Sequence, residues 1–137
     1  MSARAFLDTN IVVYSFDATA PAKQARARRL LASPECFVSW QVIQEFSSVA
    51  LHKFAVPLRG EDLRDFIALR LWPLCRVLPS EAIFLKTVEI QHAFGYRYDD
   101  SLIIAAALAG GASRLLSEDL QHGQCIGDLV IENPFRR

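Results

Sequence analysis

The chain has 137 residues, 52% hydrophobic and 22% charged, enough apolar material for one globular domain with its own core. Its 15 basic and 15 acidic residues cancel, which counts against a stand-alone nucleic-acid-binding module, because such modules draw affinity from a positive excess facing phosphates. Cys36, Cys75 and Cys125 are scattered and form no CxxC or Cys/His pattern, which argues against a zinc site or disulfide framework and for a reducing, cytoplasmic setting.

The apolar run before Asp8 is too short for a signal peptide and is interrupted by that acid. No uncharged apolar stretch is long enough to span a bilayer, so the expectation is a soluble intracellular protein. Ala5-Phe6-Leu7 reads as a buried strand ending at Asp8. Residues 20–32, rich in Ala, Arg, Lys and Leu, predict a helix that stops before Pro34. Cys36 to Ser39 is a second short strand. Gln41 to Phe54 has helical periodicity, with Val42, Ile43, Phe46, Val49, Ala50 and Phe54 on one broad face.

A further helix follows Gly60 and runs through Phe66 and Leu69, and Cys75 to Leu78 is a candidate strand. Ser80 to Phe94 carries an N-cap signal at its start and Gly95 at its end. Asp100 to Ala109 is apolar on nearly every side, which predicts a buried helix ended by Gly110-Gly111. Arg114 to Ser117 is another strand, and Val130-Ile131 a last edge strand. No repeat or linker interrupts residues 1–137, so one domain is expected. Short apolar strands alternating with helices predict an α/β fold: a three-layer α/β/α sandwich around a mainly parallel sheet.

In open α/β sheets, sites form beyond the carboxyl ends of the strands. Asp8 directly follows the first strand, Asp119 lies two residues past the strand ending at Ser117, and Asp100 opens the buried helix. Glu45 sits at the edge of its helix's apolar stripe, three residues after Val42 and four before Val49. Each acid also has an ordinary reading. Asp8 can cap a strand-to-helix turn, Asp99 or Asp100 can cap the buried helix, Glu45 can be a solvated flank, and Ser117-Glu118-Asp119 can be a polar turn. Those readings leave the convergence of the acids unexplained. Clustered carboxylates raise one another's pKa unless a cation neutralises them, and hard oxygen donors without Cys or a His pair favour Mg²⁺ or Mn²⁺. Such ions activate water and stabilise charge on a phosphodiester.

Phe6-Leu7-Asp8-Thr9-Asn10-Ile11-Val12-Val13-Tyr14 resembles the opening motif of PIN-domain nucleases, particularly VapC-type toxins of bacterial toxin–antitoxin pairs. Ser39 to Phe46 is similar to the second motif, with its Glu at Glu45, and Asp100 to Ala107 to the third. Leu116 to Gln124, followed by Asn133-Pro134-Phe135, resembles the fourth motif and the family's C-terminal end. The resemblance implies that Asp8 and Asp100 are the principal metal ligands and that Glu45 and Asp119 complete the acidic centre. Thr9, Asn10 and Ser117 would orient those carboxylates. It also implies Mg²⁺- or Mn²⁺-dependent endonucleolytic cleavage of RNA, often tRNA or ribosomal RNA, homodimerisation, and silencing by a VapB-type antitoxin. The position before the third-motif acid is often aromatic in that family, whereas here it is Asp99. Asp100 is taken as the ligand because it directly precedes the Ser-Leu-Ile-Ile run, which leaves Asp99 as a helix cap or outer acid.

Among other residues, Lys23, Arg26, Arg28 and Arg29 form a basic helix that either tracks an RNA backbone or is a solvated face. Arg97 is a candidate phosphate contact or a local counter-charge to the acids. His52, His92 and His122 are scattered, with His122 the nearest in sequence to an acid, and Trp40 and Trp72 read as packing residues. A haloacid-dehalogenase-type phosphatase expects a second Asp two residues after the first, where this chain has Asn10. A catalytically silent binding module would lack one of the four matched acids, and all four are present.

Overall fold

The computed structural model describes residues 4–136. Its centre is a six-stranded sheet in the order β3-β2-β1-β4-β6-β5. These strands are β1 (Ala5–Leu7), β2 (Cys36–Ser39), β3 (Cys75–Val77), β4 (Arg114–Leu116), β5 (Cys125–Ile126) and β6 (Leu129–Glu132). All neighbours pair in parallel except β5, which runs antiparallel to β6. β1 and β2 are buried at every position. That is the pattern expected where helices cover both faces of a parallel sheet, and it explains why these strands are continuous apolar runs without alternation. The result is the three-layer α/β/α sandwich.

The helices are α1 (Thr9–Tyr14), α2 (Pro21–Leu31), α3 (Trp40–His52), α4 (Gly60–Phe66), α5 (Glu81–Phe94) and α6 (Tyr98–Ala109). α1 packs against α2 and α3, while α5 and α6 pair with each other. Phe16, Phe46 and Phe66 lock the first group: Phe16 meets Phe66 with ring centres 4.9 Å apart, and Phe46 meets Phe66 at 5.2 Å. This cluster fixes α1 against α3. No helix among the described residues is long and apolar enough to cross a membrane.

α5 has the expected ends. The Ser80 side chain accepts from the Ile83 N–H, and Gly95 takes φ 75, the left-handed conformation that suits glycine at a C-cap. α6 starts earlier than expected, at Tyr98, so neither Asp99 nor Asp100 is its cap. Arg97 holds the cap position without a side-chain bond, and both acids sit in the first turn, where a negative charge suits the helix dipole. Ser101 to Ala107 are all buried, as the all-round apolar sequence requires.

At the far end of α6, Gly110 is pressed onto the sheet. A Cβ placed there would stand 2.5 Å from a Phe37 ring carbon and 2.8 Å from a Val77 methyl. Gly110→Ala should therefore destabilise the fold by about 1–3 kcal/mol through overpacking. Denaturant unfolding checks this, with an unchanged midpoint as the contrary result.

Other features also depart from expectation. The helix after Gly60 does not continue as α-helix through Leu69, because Ile67–Leu71 widen into a π-turn that leads to a 3₁₀ turn over Trp72–Leu74. Pro73 is the physical reason: in a continuing α-helix its ring would meet the Leu69 carbonyl, and it has no N–H to give. The last parallel strand is not an edge. β6 lies between β4 and β5, and the edge strand is the two-residue β5. Gly127, at φ 59, opens the two-residue turn between β5 and β6, the glycine placement of a type II′ hairpin. Finally, Trp72 is 56% exposed and does not pack in the core, whereas Trp40 meets Phe84 edge-on at 6.3 Å.

Candidate active site

The sheet order reverses at β1, whose neighbours β2 and β4 are reached by connections running in opposite directions. The crevice outside the carboxyl ends at such a switch point is where open α/β sheets hold ligands. Here β1 delivers Asp8 and β4 delivers Ser117 and Asp119, while α3 brings Glu45 from one side and the first turn of α6 brings Asp100. Asp8, Glu45, Asp100 and Asp119 line one cleft of about 490 Å³, together with Thr9, Asn10, Tyr14, Asp17 and Glu118. Asp99 does not line it; its backbone carbonyl instead accepts from Gln41 Nε2 at 3.0 Å, tying α6 to α3.

Asp8 is only 6% exposed. As the N-cap of α1 it accepts the Thr9 N–H at 2.7 Å, and it accepts the Ser117 hydroxyl at 2.7 Å. The ordinary capping reading of Asp8 is thus correct as local structure and compatible with a place in the cleft. Burial pushes its carboxyl up to about 7, against the Ser117 and Thr9 bonds and with help from the charges of Glu45 and Asp100. Glu45 is half-buried and accepts from Thr9 Oγ1 at 2.7 Å. Its carboxyl is also raised, by burial first and then by Asp99 and Asp100. Asp100 is raised by burial; the Arg97 charge opposes this, and Asp119 and Asp99 add to it.

Asn10 is the hub between the two strand ends. Its Nδ2 donates to Ser117 Oγ at 3.2 Å and Asp119 Oδ2 at 3.2 Å, with a longer contact of 3.4 Å to Asp8 Oδ2, and its Oδ1 accepts the Glu118 N–H at 3.2 Å. An aspartate at this position could donate none of these bonds, so the geometry does not suit the phosphatase pattern.

Among the described residues, no three His, Cys, Asp or Glu side chains close around a single point as a finished ion cage. The donor set nevertheless fits a hard divalent cation. Every candidate ligand is a carboxylate oxygen, and three of the four carboxyls are held above their ordinary values by burial and mutual charge, a cost that a cation would relieve.

The other sequence candidates lie elsewhere or have other partners. His122 is exposed, and its Nδ1 accepts the Asn133 N–H at 3.0 Å. Lys23 is paired with Glu118, and Arg28 Nε donates to the Ser15 carbonyl at 2.9 Å. Reading the sequence missed Val13, Tyr14, Asp17 and Glu118 as cleft residues. For the first three the signal was the spacing of Asn10, Val13, Tyr14 and Asp17, which becomes visible once Asp8 is recognised as a helix cap; Glu118 has no such signal.

A family model described as PIN domain matches residues 5–124, which takes in all four acids. The chain belongs to the PIN-domain family. Solved structures with this fold include a toxin–antitoxin complex from Klebsiella pneumoniae, at 18% identity and TM-score 0.70, covering 97% of this chain and 99% of that one. FitAcB from Neisseria gonorrhoeae is similar at 20% identity and TM-score 0.65, with 97% and 99% covered. VapC20 from Mycobacterium tuberculosis, described as a Sarcin-Ricin loop cleaving toxin, is similar at 20% identity and TM-score 0.63, with 84% and 91% covered. No curated protein sequence matches the chain. At these identities the structures establish the PIN fold, and this PIN domain carries its acids at the switch point of that fold.

Proposed function

We propose that this PIN domain is a Mg²⁺- or Mn²⁺-dependent endoribonuclease, the toxin of a type II toxin–antitoxin pair. The observation that carries the reading is the meeting of Asp8, Glu45, Asp100 and Asp119 in one cleft at the sheet's switch point. In this reading Asp8 and Asp100 are the principal ligands, and Glu45 and Asp119 complete the centre. A bound divalent ion supplies a lowered pKa for water and offsets the charge that grows on an attacked phosphodiester. The chain's own part is orientation. Thr9 holds Glu45, Ser117 and the Thr9 N–H hold Asp8, and Asn10 holds Asp119, so each of these carboxylates is oriented by a partner in the cleft where an ion would bind. Arg97, exposed at the cap of α6, is the cation nearest in sequence to Asp100 and is suited to meeting an RNA phosphate. The substrate class is RNA, with tRNA or ribosomal RNA as the candidates.

Two surfaces support the rest of the reading. Beside the acidic cleft lie two further apolar hollows, one lined by Val13, Phe16 and Phe54 and the other by Phe16, Leu58, Phe66 and Leu69. Asp17, Asp62 and Asp65 stand beside them together with Lys53 and Arg70, so their lining, apolar with charges of both signs at its edges, suits an apolar segment of a partner. A VapB-type antitoxin is the partner inferred, and related structures are described as toxin–antitoxin complexes. On α5, Phe84, Leu85 and Val88 are exposed at 41%, 59% and 57%, an apolar face assigned to a homodimer contact.

The test is incubation of antitoxin-free protein with total RNA in Mg²⁺, Mn²⁺ or EDTA. Discrete fragments that require the ion are expected. Cleavage that persists in EDTA would remove the metal from the proposal, and absence of both cleavage and Mn²⁺ binding heat would favour a silent binding module.

A further inference from the structure

The turn after β4 carries one acid that the nuclease reading leaves without a task. Glu118 lines the same cleft as the four candidate ligands, yet both of its oxygens are already engaged. Oε1 accepts the Tyr14 hydroxyl at 2.5 Å, and Oε2 accepts from Lys23 Nζ at 2.5 Å. Lys23 Nζ also donates to the Tyr14 oxygen at 3.3 Å. It lies 4.8 Å from the Tyr14 ring centre and 5.5 Å from that of Phe135, which meets Tyr14 edge-on at 5.0 Å. Three parts of the chain therefore meet at Glu118, α1, the first turn of α2 and the turn after β4, and the segment following β6 packs on Lys23 and Tyr14 through Phe135.

On its backbone side, Glu118 sits between two residues that face the acids. Its N–H donates to Asn10 Oδ1 at 3.2 Å, Ser117 Oγ donates to Asp8 at 2.7 Å, and Asp119 accepts from Asn10 at 3.2 Å. Residues 117–119 lie outside helix and strand, and Asp119 is exposed, so side-chain bonds are what set its place. A lone surface ion pair would add little. Here a hydroxyl and an ammonium, the ammonium itself lying over two aromatic rings, restrain one carboxylate, and such networks hold geometry better than single pairs.

We propose that Glu118 is a positioning residue: gripped by Lys23 and Tyr14, it fixes the turn that presents Ser117 to Asp8 and Asp119 to the cleft. Its carboxylate then belongs to the framework and not to the ion-binding set, and Lys23 acts through it instead of contacting phosphate. The consequence for ion binding rests on the metal-site reading above, whereas the consequence for the turn does not.

The experiment compares Lys23→Met, Glu118→Ala, the double variant and Glu118→Gln with the parent. Amide hydrogen exchange is measured on metal-free protein, and Mn²⁺ binding by calorimetry. In the variants the Glu118 and Asp119 amides should exchange at least about tenfold faster while the Phe6 and Leu7 amides keep parental rates. Mn²⁺ binding should weaken about tenfold in Glu118→Ala. The double variant should bind within about twofold of Glu118→Ala, because both changes break one contact. Glu118→Gln, which keeps an acceptor for Tyr14, should be intermediate.

Parental exchange at both amides in Lys23→Met would overturn the proposal, as would Mn²⁺ affinity within about twofold of the parent in folded Glu118→Ala. If Glu118→Ala does not fold, Lys23→Met decides alone, since its side chain is partly exposed. Faster exchange in a protein whose parent binds no Mn²⁺ would uphold the role in the turn and overturn the metal reading instead.

Discussion

Asp8→Asn should reduce RNA cleavage by about 10³-fold or more, the scale expected when a charge-stabilising group is removed from a reacting centre. The change is suited to separating chemistry from folding. Asn caps helices as well as Asp does, so the bond to the Thr9 N–H survives, and the Ser117 hydroxyl can turn to suit an amide. What disappears is one negative charge at a site 6% exposed. Cleavage of total RNA under saturating Mn²⁺, with circular dichroism to confirm the fold, reads the result. A folded variant that cuts at the parental rate would remove Asp8 from the proposed mechanism. Asp100→Asn should lose activity on the same scale, because both acids are assigned as principal ligands. A variant that instead needs only more Mn²⁺ to recover full rate would demote its acid to a supporting position.

Much of this centre is legible in the sequence, for specific reasons. Parallel strands buried on both faces have to be apolar runs, so Ala5–Leu7, Cys36–Val38 and Leu115–Leu116 stand out, and Asp8 and Asp119, which follow the first and last of these, mark the carboxyl edge of the sheet. α6 is visible because only a buried helix tolerates Leu102 to Leu108 on all sides. Elements set by tertiary contacts are less visible. β5 has two residues, one of them the exposed Cys125, and no period can be read from two positions. α1 has only six residues, too few for a helical period to show, and only Asp8 as a cap signals it. The π-turn at Ile67–Leu71 shows only as a proline further on.

The side-chain partners within the centre were the least legible part. Asn10 links residues 107 and 109 positions away, and Thr9 reaches Glu45 across 36. Such pairings follow from the order β2-β1-β4, which apolar runs do not encode. For Glu118 the sequence offers only an acid between two better candidates. Its engagement with Lys23 emerges when α2 and the turn after β4 are seen to meet.

The same burial that holds Asp8 in place predicts an unusual dependence of stability on pH. In the folded, metal-free protein its carboxyl titrates at about 7, against 3.8 in the unfolded chain. The folded state therefore keeps a proton that the unfolded state has released. The sign follows: the associated stability is fully present below the unfolded value and is lost as pH rises through the folded value near 7. Glu45 and Asp100, also raised by burial, act in the same direction, while Glu118, which burial raises but its Lys23 and Tyr14 bonds bring below its ordinary value, acts in the opposite one. Subtracting the Asp8→Asn curve isolates Asp8. Between about pH 5 and about pH 8 the parent should lose roughly 2–3 kcal/mol relative to the variant. Saturating Mn²⁺ should cancel that loss, because ion binding favours the ionised carboxylates and is itself stronger at higher pH. Denaturant midpoints of both proteins, in EDTA and in Mn²⁺, measure the difference. Parallel curves in EDTA would mean that Asp8 is ionised throughout and that its burial is relieved by the chain itself. Divergence in EDTA that closes with Mn²⁺ would mean that the fold holds Asp8 at a cost which the ion removes.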